Sequence, residues 1–109
     1  MSETAFESLA DSLLAALEEG IGGAANSRAD AELQGGILTV DGDSQGGEGT
    51  WVVNKHAPTR QIWLSSPKSG ARHYAFDAAS GLWKDTRGGD DLLAHLSAEL
   101  GVALEWTPS

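Results

Sequence analysis

Glu3, Glu7 and Asp11 follow one another at four-residue steps, and Glu18 comes two helical turns after Asp11. On a helix these carboxylates share one flank. No lysine or arginine precedes Arg28. Each like-charged i, i+4 pair costs a helix about 0.2–0.5 kcal/mol, offset in part where Glu3 and Glu7 sit at the positive end of the helix dipole. Glu19 adjoins Glu18, and Asp30 and Glu32 alternate along a following extended segment, so they share one face of it. Carboxylate oxygens suit hard cations and also accept ferrous iron. No imidazole or thiolate joins them, and neither a Glu-x-x-His pair nor an EF-hand loop occurs. A metal held here would bind weakly and exchange quickly. A solvated helix face produces the same spacing and is the simpler reading of the charges alone.

A second constellation lies in Arg60-Gln61-Ile62-Trp63-Leu64-Ser65. Strand alternation puts Ile62 and Leu64 on one side and Gln61, Trp63 and Ser65 on the other. The side with glutamine and serine is the wet one, which leaves Trp63 exposed as an interface anchor. A one-residue register slip would bury it instead. Asn54 and Lys55 end the preceding strand and are expected beside it. Trp51, Trp83 and Trp106 read as core or core-edge residues. Tyr74 and Phe76 face inward, and His73 faces out. His56, His73 and His95 share no metal-ligand spacing and read as surface or boundary residues. No Ser–His–Asp arrangement, phosphate-cradling loop or buried acid–base pair is legible, so the sequence offers no active site.

Composition narrows the classes further. The 109 residues, 40% hydrophobic, suit one domain over residues 1–109. Cysteine is absent, which removes disulfides, thiolate metal sites, a cysteine nucleophile and a cluster held by this chain's own thiolates. The net charge of -9 lies entirely in the first 50 residues, which carry ten acids against Arg28; the remainder is balanced. Such a chain should repel nucleic acid and anionic membranes and attract cations or basic protein patches. No apolar run reaches membrane-spanning length, and the acidic start is unlike a targeting segment.

The elements that must position these residues follow from periodicity. Thr4 or Ser2 caps a helix to about Glu19, buried through Phe6, Leu9, Ala10, Leu13 and Leu17 and stopped by Gly20, Gly22 and Gly23. The stretch 22–27 reads as a connector. Strands are expected near 29–33, 37–41, 50–54, 60–66, 72–77 and 82–85, with hairpin loops at 42–49 and 78–81 and a turn at 67–70. A second helix capped by Asp90 or Asp91 runs to Leu100, buries Leu92, Leu93, Leu96 and Leu100, and ends at Gly101. Val102–Trp106 reads as a last short strand. The fold class is α+β: a two-layer sandwich, two helices on one face of an antiparallel sheet, the other face open.

Gly49-Thr50-Trp51-Val52-Val53-Asn54-Lys55 and Gln61-Ile62-Trp63-Leu64-Ser65-Ser66-Pro67, followed by Ser69-Gly70 and Tyr74, resemble the central signature of the frataxin family. Gly36-Ile37-Leu38-Thr39-Val40 is similar to its second strand, Phe6-Glu7 with Leu9 and Leu17 to its first helix, and Ala98-Glu99-Leu100 to its second. The resemblance covers nearly the whole chain and implies the same sandwich. It implies an accessory protein of iron–sulfur cluster assembly that docks on the complex of cysteine desulfurase and scaffold protein and modulates sulfur transfer. Weak, exchangeable Fe2+, with Fe3+ as an alternative, would be its ligand. The resemblance makes the protein mainly a non-catalytic regulator; ferroxidase or iron-storage activity and a metal-independent acidic interaction domain are the alternatives. Carried over by position, Glu3, Glu7, Asp11, Glu18, Glu19, Asp30 and Glu32 form a metal-binding ridge. Asn54, Lys55, Arg60, Gln61, Trp63 and His73 form the partner contacts. Ser12 and Ala15 stand where many relatives have further acids, which implies fewer irons, and His73 stands where a basic residue is usual. The family's longer C-terminal tails cover the gap between the helices, so a short tail implies modest stability. A monomer with iron-dependent oligomers is expected, in the mitochondrial matrix for a eukaryotic source or the cytoplasm for a bacterial one.

Overall fold

A computed structural model describes residues 1–22, 30–42 and 49–108. Ser2 caps the first helix, its Oγ accepting from the Ala5 N–H at 3.0 Å. That helix, α1, spans Glu3–Gly22 and so passes the glycine at which it was expected to stop. The cause is Ile21, which continues the apolar stripe from Leu14 and Leu17 and is fully buried. Burying an isoleucine gains about 1.5–3 kcal/mol, enough to offset about 1 kcal/mol for each helical glycine.

Strands β1 (Asp30–Gln34), β2 (Ile37–Asp41), β3 (Thr50–His56), β4 (Gln61–Ser66), β5 (Gly70–Asp77) and β6 (Leu82–Asp85) form one sheet in sequence order, each pair antiparallel. Short turns suffice for such a meander. A 3-10 turn, Ala57–Thr59, joins β3 to β4. Helix α2 spans Leu92–Leu100, with Asp91 as its cap and Gly101, in the left-handed region, as its end. Apart from Gly22, which is helical, the connector expected at 22–27 lies outside the described residues, as do residues 43–48 of the expected hairpin loop.

Every second strand residue faces the helices. Leu38, Val40, Trp51, Val53, Ile62, Leu64, Tyr74 and Trp83 pack with Phe6, Ala10, Leu13, Leu14, Leu17 and Ile21 of α1 and with Leu92 and Leu96 of α2. The two-layer α+β sandwich is thus as expected. The last strand is not: Val102–Trp106 takes no regular structure. Its half-buried Val102, Leu104 and Trp106 pack against the core cluster, and the Trp106 indole N–H donates to Ser12 Oγ of α1 at 3.1 Å. The segment therefore covers the helix layer rather than lengthening the sheet.

Candidate functional site

The ridge acids do not behave as one group. Glu3 and Glu19 are exposed on α1. Lys55 Nζ reaches Asp11 Oδ1 at 2.8 Å and Glu7 Oε1 at 3.7 Å. The hydrogen bond to Asp11 raises the Lys55 pKa, burial opposes it, and the charges of Asp11 and Glu7 add to it. Lys55 follows Asn54 in the strand, so it points to the helix side and is not beside Trp63. Glu18 Oε2 accepts the backbone N–H of Leu33 at 2.8 Å, closing the outer edge of β1 against further pairing. Ala31 and Leu33 pack toward the core, which turns the exposed Asp30 and Glu32 to the opposite face of the sheet. Among the described residues no group of three or more His, Asp or Glu side chains converges on a point that could hold a metal ion. What the ridge presents is a row of separate carboxylates, two of them shared with a lysine.

The open sheet face carries a defined row. Cross-strand register aligns Gln34, Ile37, Asn54, Trp63 and His73. Trp63 lies on this face, as expected from its alternation with Ile62 and Leu64, but it is half-buried rather than exposed because two histidine rings stack on it. Its indole N–H donates to Gln61 Oε1 at 2.9 Å. The His56 ring lies 3.8 Å from the Trp63 ring at 12°, and the His73 ring 4.5 Å away at 16°. His73 sits directly opposite Trp63, and His56 diagonally across β3, the geometry in which aromatic side chains of adjacent strands meet. Sequence reading missed His56 because cross-strand neighbours have no signature in sequence spacing. It also missed Ile37, which is 47% exposed in the same row; its alternation with the buried Leu38 was the available signal.

Arg60 immediately precedes β4. It adopts φ 56°, closing the 3-10 turn, and its guanidinium folds back on the Ala57 carbonyl. Behind the sheet, Glu99 of α2 accepts from the Trp51 indole at 2.9 Å and from Ser66 Oγ at 2.7 Å, with His95 Nε2 at 3.4 Å. Burial would raise the Glu99 carboxyl, but the donors Trp51, Ser66 and Ser69, with His95, hold it below the usual carboxylate range. Burial pushes the Tyr74 hydroxyl up to about 12, so it stays protonated near neutral pH. At the start of β5 a cleft of about 480 Å³ holds Arg72, His73 and Arg87, with Arg72 bonded to the buried Asp85 at 2.9 Å. Asp85 Oδ1 also accepts the Arg87 backbone N–H at 2.9 Å.

A two-helix sandwich with an acidic first helix and a polar, tryptophan-bearing open sheet defines a class of small α+β domains. Residues 1–105 match the family described as a frataxin-like domain, and the chain belongs to that family. It is 33% identical over 114 residues to the "Iron-sulfur cluster assembly protein CyaY" of Delftia acidovorans, covering 98% of each chain. It is 43% identical over 70 residues to the "Frataxin homolog, mitochondrial" of Schizosaccharomyces pombe; that match takes in 64% of this chain and 42% of the relative. The "Frataxin, mitochondrial" of Dictyostelium discoideum is likewise matched over 42% of its length, so the chain spans less than half of these two relatives. Among solved structures, frataxin from Psychromonas ingrahamii superposes with a TM-score of 0.79 at 28% identity, covering 98% of this chain and 99% of the other. Trimeric frataxin from the yeast Saccharomyces cerevisiae, complexed with ferrous iron, gives 0.64 at 35% identity, covering 93% and 84%.

Proposed function

We propose that this protein is an accessory factor of iron–sulfur cluster assembly: it docks on the cysteine desulfurase–scaffold complex, modulates sulfur transfer and carries Fe2+ weakly on α1. The observation that carries this reading is the pairing of two surfaces, the α1 carboxylates and the ordered, half-buried row around Trp63, on a relative of a protein named for that pathway. The chain has no cysteine, so sulfur chemistry must take place on the partners. Iron is cargo here rather than a resident cofactor. Isolated carboxylates hold a divalent ion loosely, and the lysine shared by Glu7 and Asp11 weakens them further. The structure complexed with ferrous iron in the yeast relative supports the choice of ion.

The deciding experiment measures cluster formation and sulfide production by a desulfurase–scaffold mixture with and without this protein. A change in rate that saturates with its concentration is expected. An unchanged rate at every concentration, with iron still bound, would favour an iron-storage role instead. In an amide NMR titration, Fe2+ should broaden residues Glu3–Glu19 first; broadening centred on His56, His73 and His95 would contradict the α1 site.

A further inference from the structure

The stack around Trp63 fixes what this tryptophan can offer a partner. The His56 and His73 rings come from β3 and β5, the strands on either side of β4, and both lie within 20° of parallel to the indole. Both π faces are therefore covered by the protein's own side chains. The only hydrogen-bond donor of the indole is engaged by Gln61. His56 is itself held, with Nδ1 2.8 Å from Thr59 Oγ1 in the 3-10 turn. What remains free is the apolar edge of a ring whose rotamer is set before any partner arrives.

We propose that His56 and His73 are positioning residues that hold Trp63 upright, so that the indole edge, rather than a face or the N–H, enters an apolar slot on the docking partner. This rests on the reading of the open face as a docking surface for the desulfurase–scaffold complex. The slot is lined by aliphatic side chains or the edge of an aromatic ring. An arginine stacked on the indole is excluded, because no face is available, and an acceptor aimed at the indole nitrogen is not needed. Ile37, exposed two strands from Trp63 in the same row, extends the apolar contact. Ordering one large side chain before association is worth about two- to tenfold in affinity.

Four variants of the full chain, His56→Ala, His73→Ala, His56→Phe and His73→Phe, are titrated against the desulfurase–scaffold complex. In the free protein, the His56 and His73 ring protons should resonate upfield and return toward ordinary positions in Trp63→Leu, which reports the stack without a partner. Each alanine variant should dock about two- to tenfold more weakly. Each phenylalanine variant keeps a flat ring against the indole and should return to within about twofold of the parent. Replacing Trp63 by benzothienylalanine, which lacks the N–H, should leave docking within about twofold. Phenylalanine variants as weak as the alanine ones would overturn the proposal, since the imidazole nitrogens would then touch the partner directly. Alanine variants that dock like the parent would also overturn it, as would a large loss on removing the N–H. If the parent and Trp63→Ala titrations coincide while the upfield shifts persist, the docking surface itself is wrong.

Discussion

Glu99 joins α2 to β3 and β4 through one carboxylate, and its charge strengthens each bond it accepts. Hydrogen bonds to a charged group contribute about 1.5–3 kcal/mol, so Glu99→Gln should destabilise the fold by about 1–2 kcal/mol at pH 7. Its folded pKa lies below the unfolded one, so this contribution is present above the ordinary glutamate range, near 4.3. It disappears as pH falls through the folded value. Denaturant melts of parent and variant should differ at pH 7 and converge as the pH is lowered through the folded value; a gap that stays constant down the acid limb would mean the charge is immaterial. Lys55 gives the opposite kind of prediction. Its pairs are partly solvated, with Asp11 59% exposed, and such pairs contribute about 0–1 kcal/mol. Lys55→Met should change stability by less than about 1 kcal/mol while freeing two carboxylates and removing a repelling cation. Mn2+ affinity, followed by paramagnetic broadening at Glu7 and Asp11, should rise about three- to tenfold. An unchanged affinity would show that cations bind elsewhere on the chain.

At the scale of elements, the tail after α2 acts as a cover for the helix layer. Trp106 packs 6.1 Å from Trp83 and 6.2 Å from Phe76, ring centre to ring centre, and ties to Ser12. Trp106→Ala should therefore cost about 2–3 kcal/mol in urea melts, below the full core range of about 3–5 because the ring is only half-buried. A loss under about 0.5 kcal/mol would make the tail a passive appendage. The same segment shows where sequence reading stopped. Val102, Leu104 and Trp106 alternate like a strand, but alternation reveals only that one side is buried, not whether a sheet edge or a helix pair buries it. The six strands of the sheet were legible because each alternates between turn residues, and α2 because Asp91 and Gly101 punctuate it. The end of α1 is not legible from its glycines alone, because the burial of Ile21 outweighs them. Within the site, Trp63's face was legible from Gln61 and Ser65. That Lys55 leaves the Trp63 face was also legible, from its place next to Asn54. The histidine stack and the Glu99 contacts join residues far apart in the chain, which local pattern cannot show.

For the molecule as a whole, the two surfaces lie on opposite layers: α1 covers one face of the sheet, and the Trp63 row occupies the other. A partner that engages both must wrap around an edge of the sheet, and the two contacts should obey different physics. The α1 carboxylates belong to the half of the chain that holds the entire charge of -9. Their attraction to a basic patch is screened over about 10 Å at 0.1 M salt. In the proposed docking the Trp63 edge would contribute apolar burial, which simple salt hardly screens. Docking on the desulfurase–scaffold complex should therefore weaken as salt rises. Glu3→Lys combined with Glu19→Lys, both exposed positions away from the Lys55 pairs, should lower affinity at low salt and flatten the plot of log affinity against log salt. Trp63→Ala should move the whole line down by at least tenfold while keeping its slope, as expected when an aromatic hot spot worth about 2–4 kcal/mol is lost. It should also lose about 1 kcal/mol of fold stability through its two ring contacts, where a core tryptophan would lose about 3–5 kcal/mol. Isothermal titrations at 50, about 150 and 300 mM salt, three concentrations spanning roughly the range over which screening lengths halve, separate the two effects. Equal slopes for the parent and the double lysine variant would place the electrostatic contact elsewhere than α1, and a changed slope for Trp63→Ala would show that the two surfaces do not act independently.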